Sequence, residues 1–290
     1  MNFIKYRFIS FIISIFLILG SAYCLIRFGL VLGIDFTGGS LIEVSFDQQV
    51  SIGDLKDQLA DLGLIVSQIQ KTSSDSLLIR FEGGWDQKDQ AVAFFKEKEL
   101  VVLRFETVGP TFGKELLKKA LAAIGLTILL ILFYIAWRFK DINFGLVAAL
   151  AMIHDNLILL GSFSIFGYFF SAPVDSLFVT AALTTLATSV YDTVVTFGYI
   201  RDQLKRSFSQ GNIEQLANEA INATLIRNIN NSWTIIFMLV AILLLGGETI
   251  RWFASALLIG TILGTYSSTF LAVPLLVTWE NIRRRRKKLV

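Results

Sequence analysis

Ile142–Phe166 reads INFGLVAALAMIHDNLILLGSFSIF, and across these 25 residues the only ionisable side chains are His154 and Asp155. A hydrocarbon core about 30 Å thick takes about 20 mostly apolar residues to cross. The segment is long enough to span a bilayer, and it carries an ionisable pair into it. Five other stretches qualify or nearly do: Phe8–Phe28, Ala120–Trp137, Val174–Ile200, Ile226–Gly246 and Trp252–Trp279. The whole chain agrees with that reading. Of its 290 residues 54% are hydrophobic and 17% charged, and mean hydropathy is +0.64. Ordinary soluble domains carry about 25% charge. With 25 Phe and 3 Pro the chain is neither disordered nor of low complexity. This is an integral membrane protein.

Composition also excludes function classes. A net charge of +3 gives no broad basic face, so no nucleic-acid partner is expected. One cysteine rules out an intrachain disulfide, and one histidine rules out a histidine-rich metal site; no metal or cofactor is expected. Lys5 and Arg7 precede the first span as in a secretory signal, but no small-x-small cleavage site follows, and the bulky Tyr23 precedes Cys24. The span reads as an uncleaved anchor, with Cys24 a small packing residue.

Basic residues near span ends set orientation. Lys5/Arg7, Arg138/Lys140, Arg201/Lys205/Arg206 and the run Arg283–Lys288 fall on one side if the spans alternate, which predicts both termini in the cytoplasm. The terminal run, in residues 280–290, reads as a topology anchor that touches anionic membrane lipid. Trp137, Trp252 and Trp279 sit at span ends, where interfacial tryptophans belong; Trp233 does not.

Residues 1–28 are thus the cytoplasmic N-terminus and first span, and residues 29–119 lie between spans on the non-cytoplasmic side. Leu41–Phe46 reads as a strand. Ser51 caps a helix with Ile52, Leu55, Leu59 and Leu62 on one face, and Asp54 completes a capping-box-like pattern. Ile65–Gln70 and Ser76–Phe81 read as strands joined by the turn Lys71–Asp75. A second helix runs over Asp86–Glu99 with Ala91, Phe94 and Phe95 inward, and Leu100–Thr107 is the last strand. The β-α-β-β-α-β order predicts a ferredoxin-like, split βαβ domain of the α+β class, followed by a bundle over residues 120–279. The domain holds no catalytic constellation. Gly33–Gly39 is glycine-rich but lacks the Lys-Ser/Thr and following helix of a phosphate loop, so it reads as a turn motif; Gly109–Lys114 has the wrong spacing. The chain is not expected to be an enzyme.

Ionisable groups at membrane depth are functional hypotheses. His154 and Asp155 lie about 21 Å along the third span from Lys140, and Asp192 lies about 13 Å before Arg201 on the fourth. The apolar run Ile235–Leu245 is too short to cross, so Arg227, Asn228, Asn230, Asn231, Ser232 and Thr234 must begin within or at the edge of the bilayer. Arg227 and Asp192 then share the cytoplasmic half on adjacent spans. A desolvated carboxylate beside a cation changes protonation as the cation moves, which is what a proton relay needs. His154, Asp155, Tyr191, Asn230, Ser232 and Thr234 are candidate supporting groups, and hydrogen-bonded glue between helices is the alternative reading for them. Gly260, Gly264, Ser267 and Ser268 on the sixth span are small residues for close helix packing.

In order along the chain stand Gly33–Ser40 (GIDFTGGS), Glu106–Gly113 (ETVGPTFG), His154–Ile158 (HDNLI) with Gly161, and Val174-Asp175. They continue with Asp192–Val195 (DTVV), Asn222–Arg227, and Gly264–Ser268 with Pro274. Taken together they resemble the SecF family of protein-export membrane proteins, within the SecD/SecF group of the resistance-nodulation-division superfamily. The resemblance implies a subunit that pairs with SecD to complete a pseudo-symmetric bundle. It implies association with the SecYEG translocon, and use of the proton motive force to draw unfolded secretory polypeptides across the cell inner membrane. It places the proton relay at Asp192 with Arg227 as partner. The chain departs from the family pattern over Ala187–Asp192, Phe197–Asp202 and Asn231–Ile235; Tyr191 stands where the family usually has Asn. Three other readings remain: a structural partner of SecD without its own relay, an intramembrane aspartyl protease built on Asp155 and Asp192, and an exporter of the same superfamily.

Overall fold

The computed structural model describes residues 2–45, 52–73, 76–82, 88–98, 100–206 and 212–288. The expected cap at Ser51, the outer ends of the second domain helix at Asp86 and Glu99, the strand end at Phe46 and the turn tip at 74–75 lie outside them, as do residues 289–290. The chain divides into two compact units. One holds Val31–Leu121 with Pro173–Ser176; the other holds Met1–Leu30, Ala122–Ala172 and Leu177–Val290.

In the smaller unit a short helix, α2 (Ile34–Thr37), precedes β1 (Gly39–Ser45), α3 (Ile52–Asp61), β2 (Ile65–Ser73), β3 (Ser76–Glu82), α4 (Lys88–Glu97) and β4 (Val101–Val108). The strands form one antiparallel sheet in the order β2-β3-β1-β4, the split βαβ arrangement. Alternation decides the layers. Ile42, Val44, Leu77, Ile79 and Phe81 point to one face and meet Leu55 and Leu59 of α3 and Ala91 and Phe95 of α4. Ile52, expected on the inward face of α3, is exposed. The opposite face carries a smaller cluster of Leu41 and Leu78 with Ile34. Arg80 is buried on β3 and donates to Gln68 Oε1 at 2.9 Å. Burial pushes its guanidinium below the ordinary arginine pKa, opposed by the charge of Asp175. Gly33–Gly39 is more than a turn: it encloses the helical turn of α2 and ends in two left-handed glycines.

The larger unit is helical. Its elements are α1 (Arg7–Phe28, preceded by a 3-10 turn at Ile4–Tyr6), α5 (Pro110–Phe139, which begins in the smaller unit), α6 (Ile142–Phe170), α7 (Ser176–Arg206) and α8 (Ile213–Leu245). The last span is α9 (Glu248–Ser267), a π-helical turn at Ser268–Ala272, and α10 (Val273–Lys288). Among the described residues six helical spans are long and apolar enough to cross a membrane. α6 is the central one, with 67% of its most apolar stretch buried against 11% for α1 and 17% for α8. Phe139, Phe144 and Phe197 pack together in its main core, Phe139 stacked on Phe144 at 5.1 Å.

Two helices start well before the expected positions, for local reasons. α5 begins at Pro110 rather than Ala120; proline suits a first helical position, and Glu115 pairs with Lys119 at 2.8 Å. α8 begins at Ile213 rather than Ile226. Asn212 caps it by accepting from Glu214 N–H at 3.0 Å, and Ile213, Leu216, Ala217, Ala220 and Ile221 form a buried stripe beneath a polar face. The sixth span is not one regular helix. Pro274 has no N–H to give a carbonyl one turn back, and the π turn lies immediately before it.

Candidate functional site

Small residues let α7 and α9 approach closely. A Cβ on Gly260 would lie 2.3 Å from Thr185 Cγ2, and one on Gly264 would lie 2.9 Å from Ser189 Cβ. Through this contact α7 presents a buried polar stripe of Thr185, Ser189, Asp192, Thr193 and Thr196 at helical spacing.

Asp155 of α6 is the best-connected group there. It is 7% exposed, and its Oδ2 accepts from Ser189 Oγ of α7 at 2.9 Å and Ser267 Oγ of α9 at 2.6 Å. Its Oδ1 lies 2.9 Å from His154 Nδ1. One carboxylate thus joins three helices. His154 Nε2 is buried and without a partner. Neither oxygen of Asp155 is shared with Asp192, so no paired-carboxylate site of the aspartyl-protease kind is formed.

Asp192 lies three residues beyond Ser189, on the same face of α7. It is 4% exposed, and its Oδ1 has no hydrogen-bond partner. Arg227, exposed on α8, is the cation whose field acts on it, but no ion pair within 4.0 Å forms between them. Next to Arg227, and in line with the buried stripe of α8, Asn228 is 1% exposed, with both amide atoms unpartnered. Thr196 and Thr224 meet at 3.1 Å, one turn from these groups on each helix.

The structure sorts the supporting residues. Ser232 is buried and lies 2.5 Å from Thr265 Oγ1 of α9. Tyr191 is 56% exposed, and Asn230 and Thr234 are exposed too, so these three lie off the buried polar faces of α7 and α8. The reason is helical geometry. A step of one residue turns a side chain about 100° away from Asp192, and a step of two turns it about 200° away from Asn228 or Ser232. Ser267, expected only to pack, donates to the Asp155 carboxylate. Ser268 is fully buried at the head of the π turn and donates to Thr265 O at 3.2 Å. Ser189 and Asn228 are not among the candidate supporting groups; projecting α7 and α8 onto a wheel and asking which polar residues share the face of Asp192 or Ser232 finds both. Among the described residues no group of three or more His, Cys, Asp or Glu is placed to hold a metal.

Residues 87–282 match the family of protein export membrane proteins SecD/SecF, C-terminal region, and residues 25–50 match the SecD/SecF GG motif. The chain is 37% identical to the protein translocase subunit SecF of Thermobaculum terrenum over 96% of its own length and 93% of the relative's. To that of Anaerolinea thermophila it is 38% identical over 97% and 94%. These relatives carry the name of a translocase subunit, not of an enzyme. The crystal structure of SecDF, a translocon-associated membrane protein of Thermus thermophilus, superposes with a TM-score of 0.85 at 30% identity. That match covers 97% of this chain but 39% of the SecDF chain.

Proposed function

The chain belongs to the SecD/SecF family of protein-export membrane proteins, and we propose that it works as the SecF-type subunit of the Sec translocase accessory complex. In this reading it pairs with SecD and draws on the proton motive force to help unfolded secretory polypeptides through SecYEG. Both termini lie in the cytoplasm of a cell whose inner membrane it spans, because the basic loops fall on that side. The domain at residues 29–119 stands on the far side, and the tail at 280–290 rests on anionic lipid.

Asp192 carries the reading. A buried carboxylate oxygen with no hydrogen bond is costly to keep, and proteins keep such groups where a group must change partners. Arg227 on the neighbouring helix acts on it without being locked to it. A proton arriving at Asp192 releases the arginine, and its departure draws the arginine back; that exchange is the relay. Tyr191, the family departure beside it, lies about 100° away around the helix and is exposed.

The test is secretion of a reporter in depleted cells that carry wild type, Asp192→Asn or Arg227→Ala, with membrane level and SecD co-purification measured alongside. Both variants are expected to assemble normally and to lose secretion support about tenfold or more. Full secretion by Asp192→Asn would make the chain a scaffold for SecD instead.

A further inference from the structure

Residues 173–176 connect α6 to α7, yet they belong to the smaller unit. Val174 pairs in parallel with Leu32: its N–H donates to Val31 O at 2.8 Å, and Gly33 N–H donates to Val174 O at 2.8 Å. Asp35 closes the joint. Its Oδ2 accepts from the Ser176 backbone N–H at 3.0 Å and also from the Ser176 hydroxyl. Ser176 is the first residue of α7. The first amides of a helix have no intrahelical partner and are usually capped by the residue just before them. Here a carboxylate 141 residues upstream accepts from the first of these amides, and its negative charge suits the positive end of the helix dipole.

The glycines around Asp35 fit the same joint. A Cβ on Gly33 would lie 2.8 Å from Asp175 Cβ, and Gly38, at φ +78°, brings its backbone so near the start of α5 that a Cβ would lie 2.6 Å from Pro110 Cα. The GIDFTGG segment is thus a clasp that gathers the chain after α1, the start of α5 and the start of α7 around β1 of the small domain. Nothing in the relay uses it.

We infer that this clasp is a coupling latch and that Asp35 is a positioning residue: by capping α7 it makes the small domain and the helix that carries Asp192 move together. Asp192 stands 16 residues beyond Ser176, about 24 Å along a continuous helix, and a helix is a rigid element through which a displacement at one end reaches the other. The inference rests on the reading of Asp192 as the relay carboxylate.

The test uses the full chain with its SecD partner in depleted cells. Membrane level, co-purification and reporter secretion are measured, together with proton flux into inverted vesicles followed by a pH-sensitive dye. Asp35→Ala is expected to lower secretion support about fivefold while flux stays within about twofold of wild type, because ions still reach Asp192 but the domain no longer follows. Asp35→Asn, whose amide oxygen still accepts from Ser176, restores at least about half of it. Where Asp35→Ala does not accumulate, Ser176→Ala is read in its place, with an expected loss of about twofold. A disulfide between Leu32→Cys and Val174→Cys in a Cys24→Ser background should leave secretion intact, since paired strands bring Cα atoms within disulfide reach and the latch stays closed. Unchanged secretion in whichever capping variant accumulates, an equal loss of flux and secretion, or a disulfide that stops secretion would each overturn the latch. Flux retained by Asp192→Asn would overturn the relay reading and this inference with it, whereas the outcomes above, with flux lost in Asp192→Asn, overturn the latch and leave the relay standing.

Discussion

Two buried carboxylates lie close together along the polar stripe of the bundle, and they are held in opposite ways. Asp155 is bound by Ser189, Ser267 and His154, from its own helix and two others. Asp192, one helical turn beyond Ser189, has an oxygen bound by nothing. The first arrangement fixes three helices against one another, since every polar atom of Asp155 has an assigned partner and losing any of them leaves a donor stranded. The second fixes nothing. A group meant to gain and lose a proton must not be tied down in one state, so the bundle separates the carboxylate that holds it together from the one that can act.

Variants that treat the two alike would break this comparison. Asp155→Ala removes the acceptor shared by two hydroxyls and an imidazole and is expected to lower stability by about 3 kcal/mol, whereas Asp192→Asn keeps the shape of a side chain whose Oδ1 has no partner to lose and should change it by less than about 1 kcal/mol. Thermal unfolding of the purified SecD complex reads both; equal losses would mean that Asp192 is structural as well. Next in size is Gly260→Val. Its branched side chain would enter space already filled by Thr185 and push α9 off α7, costing about 1–3 kcal/mol, measurable as a lower midpoint in the same assay. Smallest is Tyr191→Phe, expected to leave stability and secretion within error because the ring is exposed. A secretion defect in that variant would return Tyr191 to the neighbourhood of Asp192 and blur the division between the two sites.

How much of this was legible in the sequence depends on the scale of the question. The spans and the β-α-β-β-α-β order follow from hydropathy and period, signals that survive without knowledge of neighbours. The start of α8 does not: residues 213–224 alternate buried Ile, Leu and Ala with Glu, Gln and Asn, so a search for apolar length passes over them. Asp155 and Asp192 look alike in sequence, each a lone acid in an apolar run. What separates them is whether Ser189 and Ser267, 34 and 112 residues away from Asp155, arrive within hydrogen-bonding distance, and that is decided by packing. The role of Asp35 was hidden for the same reason, because its partner Ser176 begins a helix far along the chain.

The link between α5 and α6 is a corner that serves more than its own two helices. It consists of Lys140, in the left-handed conformation at φ 56°, and Asp141, whose carboxylate accepts from Asn143 N–H at 3.0 Å to cap α6. A connection this short makes α5 and α6 a helical hairpin, and its cap is made by local contacts alone. The other oxygen of Asp141 accepts from Arg283 at 2.7 Å, 142 residues further along the chain. The same side chain therefore does two jobs with its two oxygens, closing a local turn with one and fastening a distant helix to that turn with the other, so that a change at Asp141 is felt at both.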